Sequence, residues 1–150
     1  MCRIRLAGRG EAAILAQGDE PRNIAPMSDI RNYAVAARST DTFGRVLCSA
    51  RTHHFIIDGP VQNGCPGEEV TPPETFLAGV AACAVELIQV IGKQQGHENI
   101  HVTADLRAEL DRANPVRSDY TVFNSVEMDL AIEGVSAEIA FELAEQFKKR

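Results

Sequence analysis

The sequence predicts an α+β fold in which helices pack against a largely antiparallel sheet. Three observations predict it. Two stretches, 100–110 and 126–132, alternate apolar and polar residues with the period of a half-buried strand. Before them lies one long apolar segment, Thr71 to Lys93, that carries the start signals of a helix. A short amphipathic segment closes the chain, so strands and helices are segregated rather than alternating.

Composition bounds what such a domain can be. At 150 residues the chain is one domain, large enough for a core without disulfides or metals. Its formal net charge of −6 argues against nucleic acid or an anionic membrane as partner. No apolar run reads as long enough to span a bilayer. Ala12 to Ala16 is too short for a signal-peptide core. The expected location is therefore the cytoplasm, where Cys2, Cys48, Cys65 and Cys83 start as free thiols.

The elements follow in order. Residues 1–26 mix Arg, Gly, Glu and Pro, with helical character only from Glu11 to Gln17, and are expected to be a peripheral extension, loosely packed or held by a partner subunit. The domain proper is 27–150. Tyr33, Val35 and Ala37 alternate with Ala34, Ala36 and Arg38, then Val46, Cys48 and Ala50 with Leu47, Ser49 and Arg51, and a third run spans His53 to Asp58. Asp58-Gly59-Pro60 stops that strand, and Val61 to Val70 is a loop. Thr71 is placed as N-cap of the long helix, with Pro72 at its first position and Glu74 completing a capping box. Gly96 stops it. After the two alternating strands, Gly134 ends the second, and Ser136 caps a helix that turns Ile139, Ala140, Leu143 and Phe147 inward.

The long helix poses a problem of cover. From Phe76 to Val85 it has no charged or amide side chain, which reads as a helix buried on every side. A two-layer domain has one helix-facing sheet surface, and a single chain of this length struggles to surround such a helix. The expected resolution is a homodimer in which each subunit covers the other's helix.

Asp58-Gly59-Pro60, a glycine-containing loop, and Pro73-Glu74-x-x-Leu77-Ala78-x-x-Ala81-Ala82-Cys83 resemble the core signature of the OsmC/Ohr superfamily, the osmotically inducible and organic-hydroperoxide-resistance proteins. The resemblance continues through Arg51-x-His53, the Pro115 loop and the strand ending at Gly134, and covers roughly Tyr33 to Arg150 in order. It implies an OsmC-like intertwined homodimer with long central helices and two active sites at the interface. It also implies a cysteine-based peroxidase that reduces small organic hydroperoxides at the expense of a thiol reductant, with no cofactor.

Carried over residue by residue, Cys83 matches the reactive cysteine. Only a thiolate attacks the peroxide O–O bond, whereas a buried core cysteine is inert. Glu74 matches the glutamate that opens the family's helix; it precedes the cysteine by nine positions, where some members have one residue more, and it also reads as a capping carboxylate. An arginine is expected beside the thiolate. Arg51 is the choice, with Arg38 and Arg45 behind it, and each also reads as a solvated arginine on a strand edge. His53 and His54 are adjacent and face opposite sides of a strand. There is no Cys-x-x-Cys pair, and His97 and His101, though spaced His-x-x-x-His, lie past the helix stop at Gly96 and at a strand start rather than on one helical face, so no metal reading follows.

The resemblance departs at the second cysteine. The family's resolving cysteine follows the terminal helix in a Cys-Pro motif, and this chain stops at Lys149-Arg150, about where that motif would begin. Cys65, in Gly64-Cys65-Pro66-Gly67, is the alternative resolving thiol. Two functions are therefore carried forward. One is a peroxidase with Cys83 as nucleophile and Glu74 and Arg51 as its electrostatic frame. The other is a catalytically impaired OsmC-like dimer that binds a small apolar ligand or serves a structural role.

Overall fold

The structure, a computed structural model, describes residues 2–7 and 30–150. In chain order the elements are β1 (Cys2–Ala7), β2 (Val35–Ser39), β3 (Arg45–Ala50), β4 (His53–Asp58), a 3-10 turn (Val61–Asn63), α1 (Pro72–Gln94), β5 (His101–Glu109), β6 (Ser125–Glu133) and α2 (Ala137–Phe147). They form two compact units, one holding residues 2–7 and 73–150, the other residues 30–72.

The first unit is a three-stranded antiparallel sheet in the order β1-β6-β5 with both helices. Its strands form as the alternation requires. Along β5 exposed residues alternate with half-buried ones, so Val102, Ala104 and Leu106 join the core while His101, Thr103, Asp105 and Arg107 face water. The core gathers Ala84, Ile88 and Ile91 of α1, Met128, Leu130 and Ile132 of β6, and Ala140, Leu143 and Ala144 of α2. Burial of side chains such as Ile88, Leu130 and Leu143 contributes about 1.5–3 kcal/mol each.

Both helix ends are set by local chemistry. The Ser136 hydroxyl accepts from the Ile139 N–H and caps α2. Gly96, at φ +86°, takes the left-handed conformation past α1 that lets His97 N–H reach the Gly92 carbonyl at 2.9 Å. Gly134, at φ +90°, leaves no room for a side chain, since a Cβ there would lie 2.3 Å from the Asn99 carbonyl oxygen.

Three expectations need correction. Residues 2–7, assigned to a loosely packed extension, form β1, whose Ile4 and Leu6 sit in register with Leu130 and Met128. The rest of the expected extension, residue 1 and residues 8–26, lies outside the described residues. Helix α1 is not buried on every side within this chain: Phe76 is 60% exposed, and Ala84, Ile88, Ile91 and Gly92 form its buried stripe. One sheet face covers one stripe, and the remaining apolar surface turns outward. Finally, α1 is long and apolar enough to cross a membrane by length and composition, because the apolar pattern runs well beyond the charge-free stretch Phe76–Val85.

The second unit is the meander β2-β3-β4, antiparallel throughout. Its organising contact is the buried carboxylate of Asp58, the last residue of β4. Arg45 donates to it through Nε at 2.9 Å and Nη2 at 2.8 Å, and the backbone N–H groups of Glu68 and Glu69 donate to Oδ2 at 3.1 and 3.2 Å. Asp58 N–H in turn donates to the Val70 carbonyl. Three consecutive residues just before α1 are thus tied to Asp58, two through its side chain and one through its backbone. Arg45 also reaches Glu68 at 2.6 Å.

Arg45 holds the Asp58 carboxyl at about 2, below the usual carboxylate range, against the opposing effect of burial. A carboxyl depressed in the folded state stabilises the fold above the ordinary carboxylate pKa, and that stability is lost as pH falls toward 2. Asp58→Asn should therefore melt well below the parent chain at pH 7, with the gap narrowing as pH falls through the acid range. Thermal melts of both proteins at several pH values check this, and a gap independent of pH would contradict it.

Candidate functional site

Cys83 lies at the middle of α1 and is exposed. The outward stripe it belongs to also carries Phe76, Gly79, Glu86 and Val90, residues three, four or seven positions away on one helical face. Beside Gly79 there is open space, with no heavy atom within 4 Å of where a Cβ would stand. The next residue along, Ala84, is fully buried and begins the core stripe, about 100° around the helix from the thiol.

The helix itself gives Cys83 little electrostatic help. Its N-terminus at Pro72 is roughly 16 Å away along the axis, and the helix dipole acts within the first turn. Glu74 is on the same helix, but nine residues separate the two. That places them about 13.5 Å apart along the axis and half a turn around it, on opposite faces. Glu74 and Cys83 of one chain therefore do not share a site.

The sequence-selected arginines differ in their surroundings. Arg51 is not on a strand edge. It occupies the two-residue turn Arg51–Thr52 between β3 and β4, exposed and at φ +56°, a conformation that two-residue hairpins require. Arg45 is engaged by Asp58 and Glu68 and serves the loop before α1. Arg38 is exposed on β2. All three belong to the second unit, whereas Cys83 and Glu74 belong to the first. His54 faces Ser49 across the β3–β4 ladder, with Nδ1 and Oγ 2.8 Å apart, and His53 points to the other face.

Cys65, also in the second unit, is half-buried in a notch with a glycine on either side. A Cβ on Gly44 would lie 2.3 Å from its Sγ, and one on Gly59 would lie 2.5 Å away. Both positions must be glycine for the thiol to fit. For Cys65 to resolve another cysteine, its sulfur has to leave this notch, since a disulfide fixes the two Cβ atoms about 3.5–4.5 Å apart. Cys48 is buried in β3.

One feature beside α1 went unread in the sequence. An open, apolar groove of about 550 Å³ runs along its first turns, lined by Pro73, Phe76, Leu110, Val122, Phe123 and Val126. The rings of Phe76 and Phe123 stand 6.2 Å apart at its floor. The signal was present: Val122 and Phe123 are apolar residues at the end of an otherwise polar connection.

No family model and no curated protein matches the sequence. Solved structures do. The chain superposes on an OsmC-like protein from Mycoplasma pneumoniae with a TM-score of 0.64 at 16% identity, over 80% of this chain and 82% of that one. It also superposes on an organic hydroperoxide resistance protein OsmC from Legionella pneumophila with a TM-score of 0.57 at 19% identity, over 81% and 85%. The α+β architecture with antiparallel sheets and one long helix is the OsmC-like fold, the fold the sequence resemblance implied.

Exposure separates Cys83 from Cys48. A short iodoacetamide pulse on the reduced native protein should alkylate Cys83 and spare Cys48, as read by peptide mass spectrometry. Equal labelling of the two would contradict the burial described above.

Proposed function

We propose that the protein is a thiol-dependent peroxidase of organic hydroperoxides, acting as a homodimer with Cys83 as nucleophile. The observation that carries this reading is the place of Cys83: it stands at the motif's cysteine position, on the outward apolar stripe of an OsmC-like α1. The Cys83 thiolate attacks one peroxide oxygen, an S–O bond forms and the O–O bond breaks. The alkoxide leaves and takes a proton to become the alcohol, so the peroxide is reduced by two electrons and the sulfur becomes a sulfenic acid. A thiol then condenses with the sulfenic acid, releasing water and forming a disulfide that the reductant reopens. That thiol is Cys65 if its loop releases it, or a small molecule otherwise.

The dimer supplies what a single chain lacks. A second copy against the outward stripe covers Val90, and Gly79 lets a neighbouring backbone approach closely. It also explains how a glutamate can stand beside Cys83, because Glu74 of the same chain faces away. Arg51 is the arginine assigned to that frame. The partner of α1 is on this reading a second copy and neither membrane nor nucleic acid, and the setting is the cytoplasm, where the thiols stay reduced.

The apolar groove beside Phe76 favours the second reading, an OsmC-like dimer without turnover that binds a small apolar ligand. Cumene hydroperoxide separates the two. Mixed with reduced protein, it should be consumed and leave one added oxygen on Cys83, and Cys83→Ser should abolish both effects. No oxygen on Cys83 and no peroxide consumed leaves the second reading. Mapping disulfides in the same samples decides Cys65. Sedimentation equilibrium at micromolar concentration should give twice the 16.3 kDa chain mass, with Val90→Glu shifting the protein toward monomer. A monomeric parent protein overturns the dimer.

A further inference from the structure

The connection between β5 and β6 builds a second cavity next to the apolar groove. It measures about 450 Å³, and Arg112, Arg117, Asp111, Asp119 and Tyr120 are among its lining residues. Leu110, Thr121 and Val122 line both cavities, so the two adjoin. One compartment is apolar and the other is polar and charged. Each has the size of a small-molecule site.

The charges of the polar compartment are unequally engaged. Arg117 is engaged by its neighbours: Nε and Nη2 donate to the two oxygens of Asp119 at 2.9 and 2.8 Å, and its guanidinium lies 4.4 Å from the centroid of the Tyr120 ring. Asp111 accepts from the Ala113 N–H and from the Asn114 side-chain amide. Asp111 N–H donates to Asn124, which in turn holds the Asn114 carbonyl and fixes the loop's shape. Arg112 is exposed and makes no hydrogen bond or ion pair with a described residue. The lining thus presents one uncommitted guanidinium beside an apolar groove.

We propose that this two-part cavity binds an amphipathic carboxylate, its head on Arg112 and its hydrocarbon body in the groove over Phe76, Leu110 and Phe123. The planar five-donor guanidinium suits a two-oxygen acceptor, and an aliphatic chain gains from leaving water along the groove. Binding needs no chemistry at Cys83. The site therefore stands or falls independently of peroxide turnover.

The test uses the full chain carrying Cys83→Ser, titrated calorimetrically with octanoate and with 1-octanol. Octanoate should bind about tenfold more tightly than the alcohol, the scale of one charge-assisted hydrogen-bonded pair. Arg112→Gln should erase that difference and leave the alcohol's affinity unchanged, and Arg112→Lys should restore part of it. Phe123→Ala, checked by thermal melting to be folded, should weaken both ligands. Rising salt should weaken octanoate alone. Absence of octanoate binding, equal affinity for acid and alcohol, or discrimination that survives Arg112→Gln would each overturn the proposal.

Discussion

Helix α1 has more apolar surface than its own unit covers, and much of the rest of the structure follows from that excess. A sheet of three strands offers one face, and α1 lays Ala84, Ile88, Ile91 and Gly92 against it beside α2. The opposite stripe, from Phe76 through Gly79 and Cys83 to Val90, is left facing out. Burying that stripe against another surface releases water from apolar area, which is the largest favourable contribution an association can draw on. Placing the thiol on it also couples two properties. Whatever covers the stripe sets both the polarity around the sulfur and the access of small molecules to it.

The second unit solves a different problem with electrostatics. It has few buried apolar side chains, with Cys48 and Ile57 its buried hydrophobic residues among those described. A loop running from Gly59 to Val70 has to be held against this thin meander without much of a core to do it. A buried carboxylate with four hydrogen bonds from Arg45, Glu68 and Glu69 performs that task. Such a group is costly to bury alone and favourable once all its acceptor positions are met. Arg45 is consequently a structural residue here.

Much of this was legible in the sequence for physical reasons. Strands β5 and β6 have one wet face, so their period shows; α1 and α2 carry clear start and stop residues. Strand β1 also alternates, with Cys2, Ile4 and Leu6 against Arg3 and Arg5, but a six-residue run at a chain end followed by glycines is easily read as tail. Arg51 was misread because its two-residue turn contains neither Gly nor Asn, the usual marks of a hairpin. The place of Cys83 on a long apolar helix was visible, whereas the burial around it depends on contacts that lie far apart in sequence. The apolar groove was hidden for the same reason: Phe76 and Phe123 meet only once the chain is folded.

The position of Cys83 within its helix has a consequence for how this chain tolerates change. Each residue advances a helix by about 100°, and the buried residues of α1, Ala84, Ile88, Ile91 and Gly92, all follow the thiol, so the count of residues between the thiol and that stripe acts as an angular address. Deleting Ala84 would carry the sulfur to the place that residue now holds, where no solvent reaches. The thiol would then be sealed in the core, out of reach of any small molecule. Length at this point of the helix is thus under tighter constraint than side-chain identity: many apolar substitutions preserve the stripe, but a single deletion turns the thiol inward.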